Sequence, residues 1–221
     1  MAHFSPDFLA FFKELAANNS KDWFDENRKR YEKSVKKPFA DFVQEMINRI
    51  AEVEPDMDIA PKDAIMRINR DIRFSKDKTP YKTTVSAIIS STGKKDKTVP
   101  GVYLELGPEA IRIYGGAHML EKDQLHDVRS TIAGDPKAFH ALLEDKNFAA
   151  RFGTIHGEKQ KRMPPELKEQ AEKEPFLLNK QYYYYAVLDV SLITSDQLAD
   201  TLIEYVDAAR PMKDYLAKAL S

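Results

Sequence analysis

The spacing of apolar residues first predicts helices. From residue 5 to residue 53, apolar side chains recur every three or four positions, as in the stripe from Phe8 to Leu15. This period is typical of amphipathic helices with one face against a core. Pro38 lies inside this region, and we expect it to break or kink the helical run because proline lacks a backbone N–H.

The pattern changes to extended segments from residue 64. Runs at 64–74, 83–90, 101–107 and 110–116 are rich in β-branched and aromatic residues, and a short Gly-Pro turn joins the last two. Alternation of apolar and polar residues in those two runs indicates a hairpin with one buried face. A later run, YYYYAVLD at 182–189, has the same character, and we expect it to join the same sheet.

Helical spacing returns after the strands, and Pro211 predicts a break in the last helix. Helices, then consecutive strands, then helices are typical of the α+β class. We therefore predict a single α+β domain over residues 1–221, with a central, mainly antiparallel sheet flanked by N-terminal and C-terminal helices. The predicted segments are helical 5–53, sheet-rich 64–119, helical 121–152, a charged surface loop 157–175 with at most one short helix, a strand 182–189 and C-terminal helices 195–220.

Composition narrows the function classes. The chain has no cysteine, which excludes disulfides and thiol chemistry and favours a reducing compartment, so we expect a soluble cytoplasmic protein. No apolar run approaches the roughly 18 to 20 residues that span a bilayer, and we expect no membrane partner. The net charge of −1 argues against a nucleic-acid partner. The sequence contains no HExxH motif or His/Asp cluster that would indicate a metal site. It indicates neither a cofactor nor an oligomeric state.

Positive charge is concentrated in residues 67–82, RINRDIRFSKDKTPYK, which we call the charged hairpin. It holds six cationic and two anionic side chains. We expect a strand at 65–74, a loop at 75–80 and a returning strand. Alternation would place Met66, Ile68, Ile72 and Phe74 toward the core. Arg70 is the exception, because it also points inward unless a bulge changes the register, and a buried arginine needs a partner.

The charged hairpin suits a small anionic ligand, because guanidinium and ammonium groups bind phosphate and carboxylate oxygens. Arg73, Lys78 and Lys82 are the expected donors, with Arg73 opposite Tyr81 or Lys82. Asp71 and Tyr81 are the acid/base candidates, although the sequence does not decide whether the protein is an enzyme. The predicted ligand-binding residues are Arg67, Arg70, Asp71, Arg73, Lys78, Tyr81 and Lys82.

Two alternatives remain open for the charged hairpin. It is a structural ion-pair network, or it is a module that docks an acidic protein surface or a nucleic-acid backbone. Elsewhere, GGAH at 115–118 offers His118 as an acid or base, but a glycine pair after a strand favours a turn. Tyr182 to Tyr185 offer rings for stacking on a ligand, but aromatic residues in a strand pattern favour a core role.

Four groups of residues resemble one known family. They are Asn18-Asn19 with Trp23-Phe24 and Tyr31, RDIRFSKDKTPYK at 70–82, PGVYLEL at 100–106, and Gly115-Gly116 followed by Leu125 and Arg129. With these motifs the chain resembles the family catalogued as domain of unknown function 2461. The resemblance implies that the charged hairpin is a family hallmark, and it implies no activity. The chain departs from the family pattern at 163–170, MPPELKEQ, which lacks a Pro-x-Gly-aromatic element.

Overall fold

Helices lie at both ends of the chain and a four-stranded sheet forms from its middle and a late strand. The computed structural model describes residues 2–220, with the backbone alone at residue 166. The α-helices are α1 Pro6–Ala17, α2 Lys21–Glu26, α3 Arg28–Tyr31, α4 Lys37–Ala51, α5 Pro61–Ala64, α6 Lys122–Gly134, α7 Pro136–Leu143, α8 Lys146–Phe152, α9 Lys168–Lys173 and α10 Leu198–Ala219. The strands are β1 Val85–Ile89, β2 Gly101–Leu106, β3 Ile111–Ala117 and β4 Tyr182–Leu188.

The strands form one antiparallel sheet in the order β1-β2-β3-β4. The late strand β4 pairs with β3, as expected from its pattern. The predicted α+β class, with a central antiparallel sheet and helices at both termini, is confirmed. The expected extended segment at 64–74 is not a regular strand, and it holds only two isolated bridges, at Ile65 and Asn69.

Residue contacts group the chain into two compact units. The first comprises Met1–Lys95, Tyr103–Ile113 and Val187–Ile203, and the second comprises Asp96–Val102, Tyr114–Ala186 and Glu204–Ser221. The predicted stripe from Phe8 to Leu15 is buried in the first unit, as are the apolar residues of α4. In the second unit, the buried rings include Phe139, Phe148 and Tyr182.

Proline has a smaller effect on the helices than expected. A π-helical turn, Glu32–Lys36, leads directly from α3 into α4, and Pro38 lies in the first turn of α4. A π turn is a common way to absorb an irregularity without ending a helix. The predicted break at Pro211 is wrong, because α10 continues through it. Buried Val206, Met212 and Leu216 keep one apolar stripe across the proline, and burial of that stripe offsets the lost hydrogen bond.

Gly115 and Gly116 lie within β3, so the predicted turn is wrong. A Cβ atom at Gly115 would lie 2.5 Å from the ring of Tyr184, and one at Gly116 would lie 2.2 Å from the carbonyl oxygen of Tyr182. Gly116 also has a φ of +99°, a conformation that residues with side chains rarely adopt. The glycine pair therefore allows the close approach of β4.

We expect Gly116→Ala to lower the free energy of unfolding by about 2 kcal/mol or more, because positive φ alone costs about 1–3 kcal/mol. Gly134→Ala is the matched control, since a Cβ at Gly134, the last residue of α6, meets nothing within 4 Å. The control should be neutral or stabilising by less than about 1 kcal/mol. Urea unfolding of both variants measures the two changes in the free energy of unfolding. Equal changes would contradict the claim that Gly116 allows β4 to approach β3 closely.

Candidate functional site

The two arms of the charged hairpin pair through an irregular ladder. Isolated antiparallel bridges join Ile65 to Ala87 and Asn69 to Tyr81. From one bridge to the next, the first arm advances four residues and the second arm advances six. The second arm therefore holds two extra residues between the bridges, an irregularity of the β-bulge kind.

Regular pairing ends at Arg70, whose N–H donates to the carbonyl oxygen of Pro80 at 2.8 Å. Phe74 lies beyond this point and is 95% exposed, so the prediction that it faces the core is wrong. Alternation toward a core requires a partner strand, and residues 71–79 form a loop instead. Asn69, and not Arg73, lies opposite Tyr81, which corrects the expected register.

The side-chain amide of Asn19 fixes the base of the charged hairpin. Asn19 Nδ2 donates to the carbonyl oxygen of Tyr81 at 2.9 Å, and the Tyr81 N–H donates to Asn19 Oδ1 at 3.1 Å. The Tyr81 ring stacks on Phe24, with the ring centres 4.1 Å apart. Burial, followed by the negative charge of Asp25, raises the pKa of Tyr81. The segment between α1 and α2 therefore holds the returning arm in place.

Arg70 finds its partner in its own loop. Its Nη1 donates to the carboxylate of Asp77 and to the hydroxyl of Thr79, and it lies 3.2 Å from the Thr79 carbonyl oxygen. Asp77 also accepts the Thr79 N–H at 2.9 Å. The hydrogen bond from the Thr79 N–H lowers the pKa of Asp77 most, followed by those from the Arg70 side chain and the Thr79 hydroxyl. Together they bring this pKa to about 2. The loop is thus closed by an ion pair and by hydrogen bonds of one carboxylate.

These contacts surround an open cleft of about 380 Å³. This volume lies at the small end of the range for small-molecule sites, about 300–1,000 Å³. The charged residues that line the cleft are two cationic and two acidic residues. The other lining residues carry hydroxyl groups, apart from one that carries an amide. The lining residues are Asn19, Arg70, Asp77, Thr79, Tyr81, Lys82, Thr83, Thr84 and Glu105.

Glu105 is held from the sheet side of the first unit. Its Oε1 accepts from Arg112 Nη1 at 3.0 Å, and its Oε2 accepts from the Tyr103 hydroxyl at 3.2 Å. Glu105 lies on β2 and Arg112 on β3, so the pair crosses two neighbouring strands. This contact fixes the position of the carboxylate in the cleft.

Three of the seven predicted ligand-binding residues line the cleft: Arg70, Tyr81 and Lys82. The other four lie outside its lining. Arg67 is exposed, and the Lys78 ammonium donates to the carbonyl oxygen of Ile72 at 2.9 Å. The structure therefore brings together only part of the predicted set.

Arg73 and Asp71 form a separate exposed pair. Arg73 Nη2 lies 2.7 Å from Asp71 Oδ2, and the Arg73 side chain is 77% exposed. The hydrogen bond from Arg73 lowers the pKa of Asp71. A lowered pKa makes Asp71 a weaker base, and the residue stands outside the cleft, which argues against the acid/base role expected for it.

Sequence reasoning missed six residues of the cleft. Four of the six, all except Thr83 and Thr84, stand in motifs that carry the family resemblance, so a signal for them was present. Thr83 and Thr84 lie in the irregular part of the second arm, for which the sequence gives no recognisable signal. The missed residues are Asn19, Asp77, Thr79, Thr83, Thr84 and Glu105.

The fold and the cleft define an α+β protein with an antiparallel sheet and a polar cleft beside a charged hairpin. The chain belongs to the family described as conserved hypothetical protein (DUF2461), whose model matches residues 7–215. This match confirms the resemblance seen in the motifs. No curated protein and no solved structure gives a significant match.

Among residues 2–220, no helix is both long enough and apolar enough to cross a membrane. Within the same range, no group of three or more His, Asp or Glu side chains is placed to hold a metal ion.

Asp77→Asn should reduce the loss of stability in acid. Because the pKa of Asp77 lies at about 2, below its ordinary value of 3.8, the ionised carboxylate stabilises the folded state above pH 4. This contribution is lost as the pH falls through about 2. The urea midpoint should therefore decrease less between pH 5 and pH 2.5 in the variant than in the wild type.

Asp41→Asn is the control, because Asp41 is exposed on α4 and no described residue is recorded as its partner. It should lose as much stability in acid as the wild type. An Asp77 variant with the acid sensitivity of the wild type would show that the loop contacts do not hold this carboxylate.

Proposed function

We propose that the cleft binds a small ligand bearing a phosphate or carboxylate group, held by Arg70 and Lys82. The observation that supports this most directly is that these two cations line the same small cleft. They are close in the fold because the arm carrying Lys82 returns beside Arg70, with the Lys82 N–H donating to the Ile68 carbonyl oxygen at 2.9 Å. Two converging cations are the usual donors for such an anion.

The geometry of Arg70 supports a bidentate contact. Its Nη1 is engaged by Asp77 and Thr79, and its Nη2 makes only a long contact, 3.5 Å, to Ser75 Oγ. No acceptor for its Nε is recorded among the described residues. The Nε–Nη2 edge of a guanidinium matches the two oxygens of a carboxylate or phosphate. An anion at this edge would leave the Asp77 pair intact.

The rest of the lining favours a ligand that is polar throughout. Two threonines, Thr83 and Thr84, line the cleft together with the acidic residues Asp77 and Glu105. Carboxylates accept hydrogen bonds and repel a second anionic group. We therefore expect hydroxyl or amino groups beside the anionic group, as in a hydroxy acid, an amino acid or a sugar phosphate.

The proposal is limited to binding. A general base at neutral pH works best with a pKa near the working pH, and the pKa of Asp77 is about 2. Burial raises the pKa of Tyr81 above its ordinary value, so its hydroxyl stays protonated at neutral pH. The cleft thus offers donors that position a ligand.

A structural role for the charged hairpin is the second candidate. The observation that favours it is that two cations are already neutralised inside the loop, Arg70 by Asp77 and Arg73 by Asp71. Exposed pairs of this kind contribute little to stability, typically less than about 1 kcal/mol. If the charged hairpin has only this structural role, no small anion stabilises the protein. Substitutions in the loop then change only how well ordered the loop is.

A thermal-shift screen with phosphorylated and carboxylated metabolites tests the proposal. A ligand at 100 times its Kd should raise the free energy of unfolding by about 2.7 kcal/mol and the midpoint by about 5–10 °C. Lys82→Gln should weaken that ligand about tenfold or more, because a charge-assisted hydrogen bond contributes about 1.5–3 kcal/mol.

Lys76→Gln is the matched control. It removes the same charge from an exposed position of the same loop, outside the cleft, and it should bind the ligand like the wild type. The binding proposal fails if no compound shifts the midpoint, or if Lys82→Gln and Lys76→Gln respond to a ligand equally.

A further inference from the structure

Five aromatic side chains of the second unit form a cluster that we call the aromatic platform: Tyr114, His118, His156, Tyr183 and Tyr185. Tyr114 and Tyr185 stack with ring centres 5.4 Å apart and planes 21° apart. His156 lies 5.0 Å from the Tyr185 ring, and His118 lies 5.4 Å from the Tyr183 ring. The rings therefore form one continuous surface across β3, β4 and the chain beside them.

Two of the five rings of the platform are exposed to solvent, and the other three are half-buried. Alternation along β4 buries Tyr182 and Tyr184 and leaves Tyr183 and Tyr185 on the opposite face. Tyr185 is 38% exposed, and His118 is also exposed. The predicted core role is thus correct for Tyr182 and Tyr184 and wrong for Tyr185. Core packing gives no reason for aromatic rings on this face, since only buried rings contribute their full area.

A cationic strip borders the platform. His156 pairs with Tyr183, and the chain continues from there through residues 157–162, GEKQKR. Lys159, Lys161 and Arg162 of this strip are exposed, and no described carboxylate is recorded as pairing with them. The only carboxylate of the strip, Glu158, pairs with Lys180 at 3.3 Å. Because Lys159 pairs with Asn179, just before β4, the strip presents positive charge along the chain that leads away from the His156 end of the platform.

We propose that the platform and its cationic strip bind single-stranded nucleic acid. Bases stack on the exposed rings, and phosphates follow Lys159, Lys161 and Arg162. Exposed aromatic side chains with nearby cations are the physical requirements for this ligand, because each base offers a π face and each linkage a negative charge. A duplex keeps its bases stacked inside and cannot use the rings.

This site is separate from the proposed ligand site, since none of its residues lines the cleft. The net charge of the whole chain is −1, which by itself disfavours a nucleic-acid partner. Long-range attraction is therefore weak, and binding depends on the local strip and on stacking. An acidic protein segment is the competing occupant, and it would use the cations without requiring the rings.

Fluorescence anisotropy with a labelled single-stranded oligonucleotide of about a dozen nucleotides tests the proposal, with the matching duplex measured beside it. Binding to the single strand is expected at 50 mM salt. With three phosphate contacts, the affinity should fall about 20-fold between 50 and 200 mM salt, because each contact contributes about −0.7 to the logarithmic slope. The duplex should bind more weakly than the single strand.

Two pairs of variants locate the site. Tyr185→Ala should weaken binding about tenfold, whereas Tyr185→Phe, which keeps the ring, should bind like the wild type. Lys161→Ala with Arg162→Ala should weaken binding and reduce the salt slope by about 1.4. Lys137→Ala with Lys146→Ala removes the same charge from exposed positions on α7 and α8 and should have no effect.

Three outcomes would overturn the proposal. One is the absence of single-strand binding at 50 mM salt. Another is equal binding of duplex and single strand, which would indicate backbone contacts alone. The third is binding that Tyr185→Ala leaves unchanged and that Lys76→Ala with Lys78→Ala abolishes, which would place the nucleic acid on the charged hairpin.

Discussion

Two hydrogen bonds between the Asn19 side chain and the backbone of Tyr81 hold the charged hairpin in its observed position. The hairpin needs such a tie, because one isolated bridge joins its arms in place of a regular ladder, and a lone two-stranded ribbon is marginally stable in water. Asn19 and Tyr81 are 62 residues apart in the chain. The stacked Phe24 and Tyr81 rings add an apolar contact at the same point. Without this tie, the arm that carries Lys82 has no fixed place beside Arg70.

The loop at the end of the hairpin balances half of its own positive charge, because two of its four cations form ion pairs. Two like charges about 4 Å apart repel by about 4 kcal/mol at an effective dielectric of 20, so six cations in sixteen residues require compensation. Asp77 holds Arg70, and Asp71 holds Arg73. The two pairs face different surroundings, however, since Arg70 lines the cleft and Arg73 is mostly exposed. Only the first pair can contribute to a binding site of the cleft.

Residue patterns predicted the fold class and most of the elements, because helices and strands follow local periods of apolar residues. They also predicted that Arg70 requires a partner, since alternation points it inward. They failed where a distant contact or a bulge decides the outcome. Asn19 acts through a residue far along the chain, and two extra residues between the bridges of the second arm move the register. Phe74 is exposed because the pairing between the two arms of the hairpin ends before it. A local pattern of apolar residues does not show where that pairing ends.

The most direct test of this account is amide hydrogen exchange in Asn19→Ala, compared with Asn18→Ala. Asn18 is the adjacent control, because its side chain bonds only locally, to the Glu14 carbonyl oxygen at 3.0 Å. Two lost hydrogen bonds of about 1 kcal/mol each should speed exchange at Arg70, Tyr81 and Lys82 by about 30-fold in Asn19→Ala. The control should leave these three amides protected as in the wild type. Equal exchange at them in both variants would contradict the claim that Asn19 holds the charged hairpin.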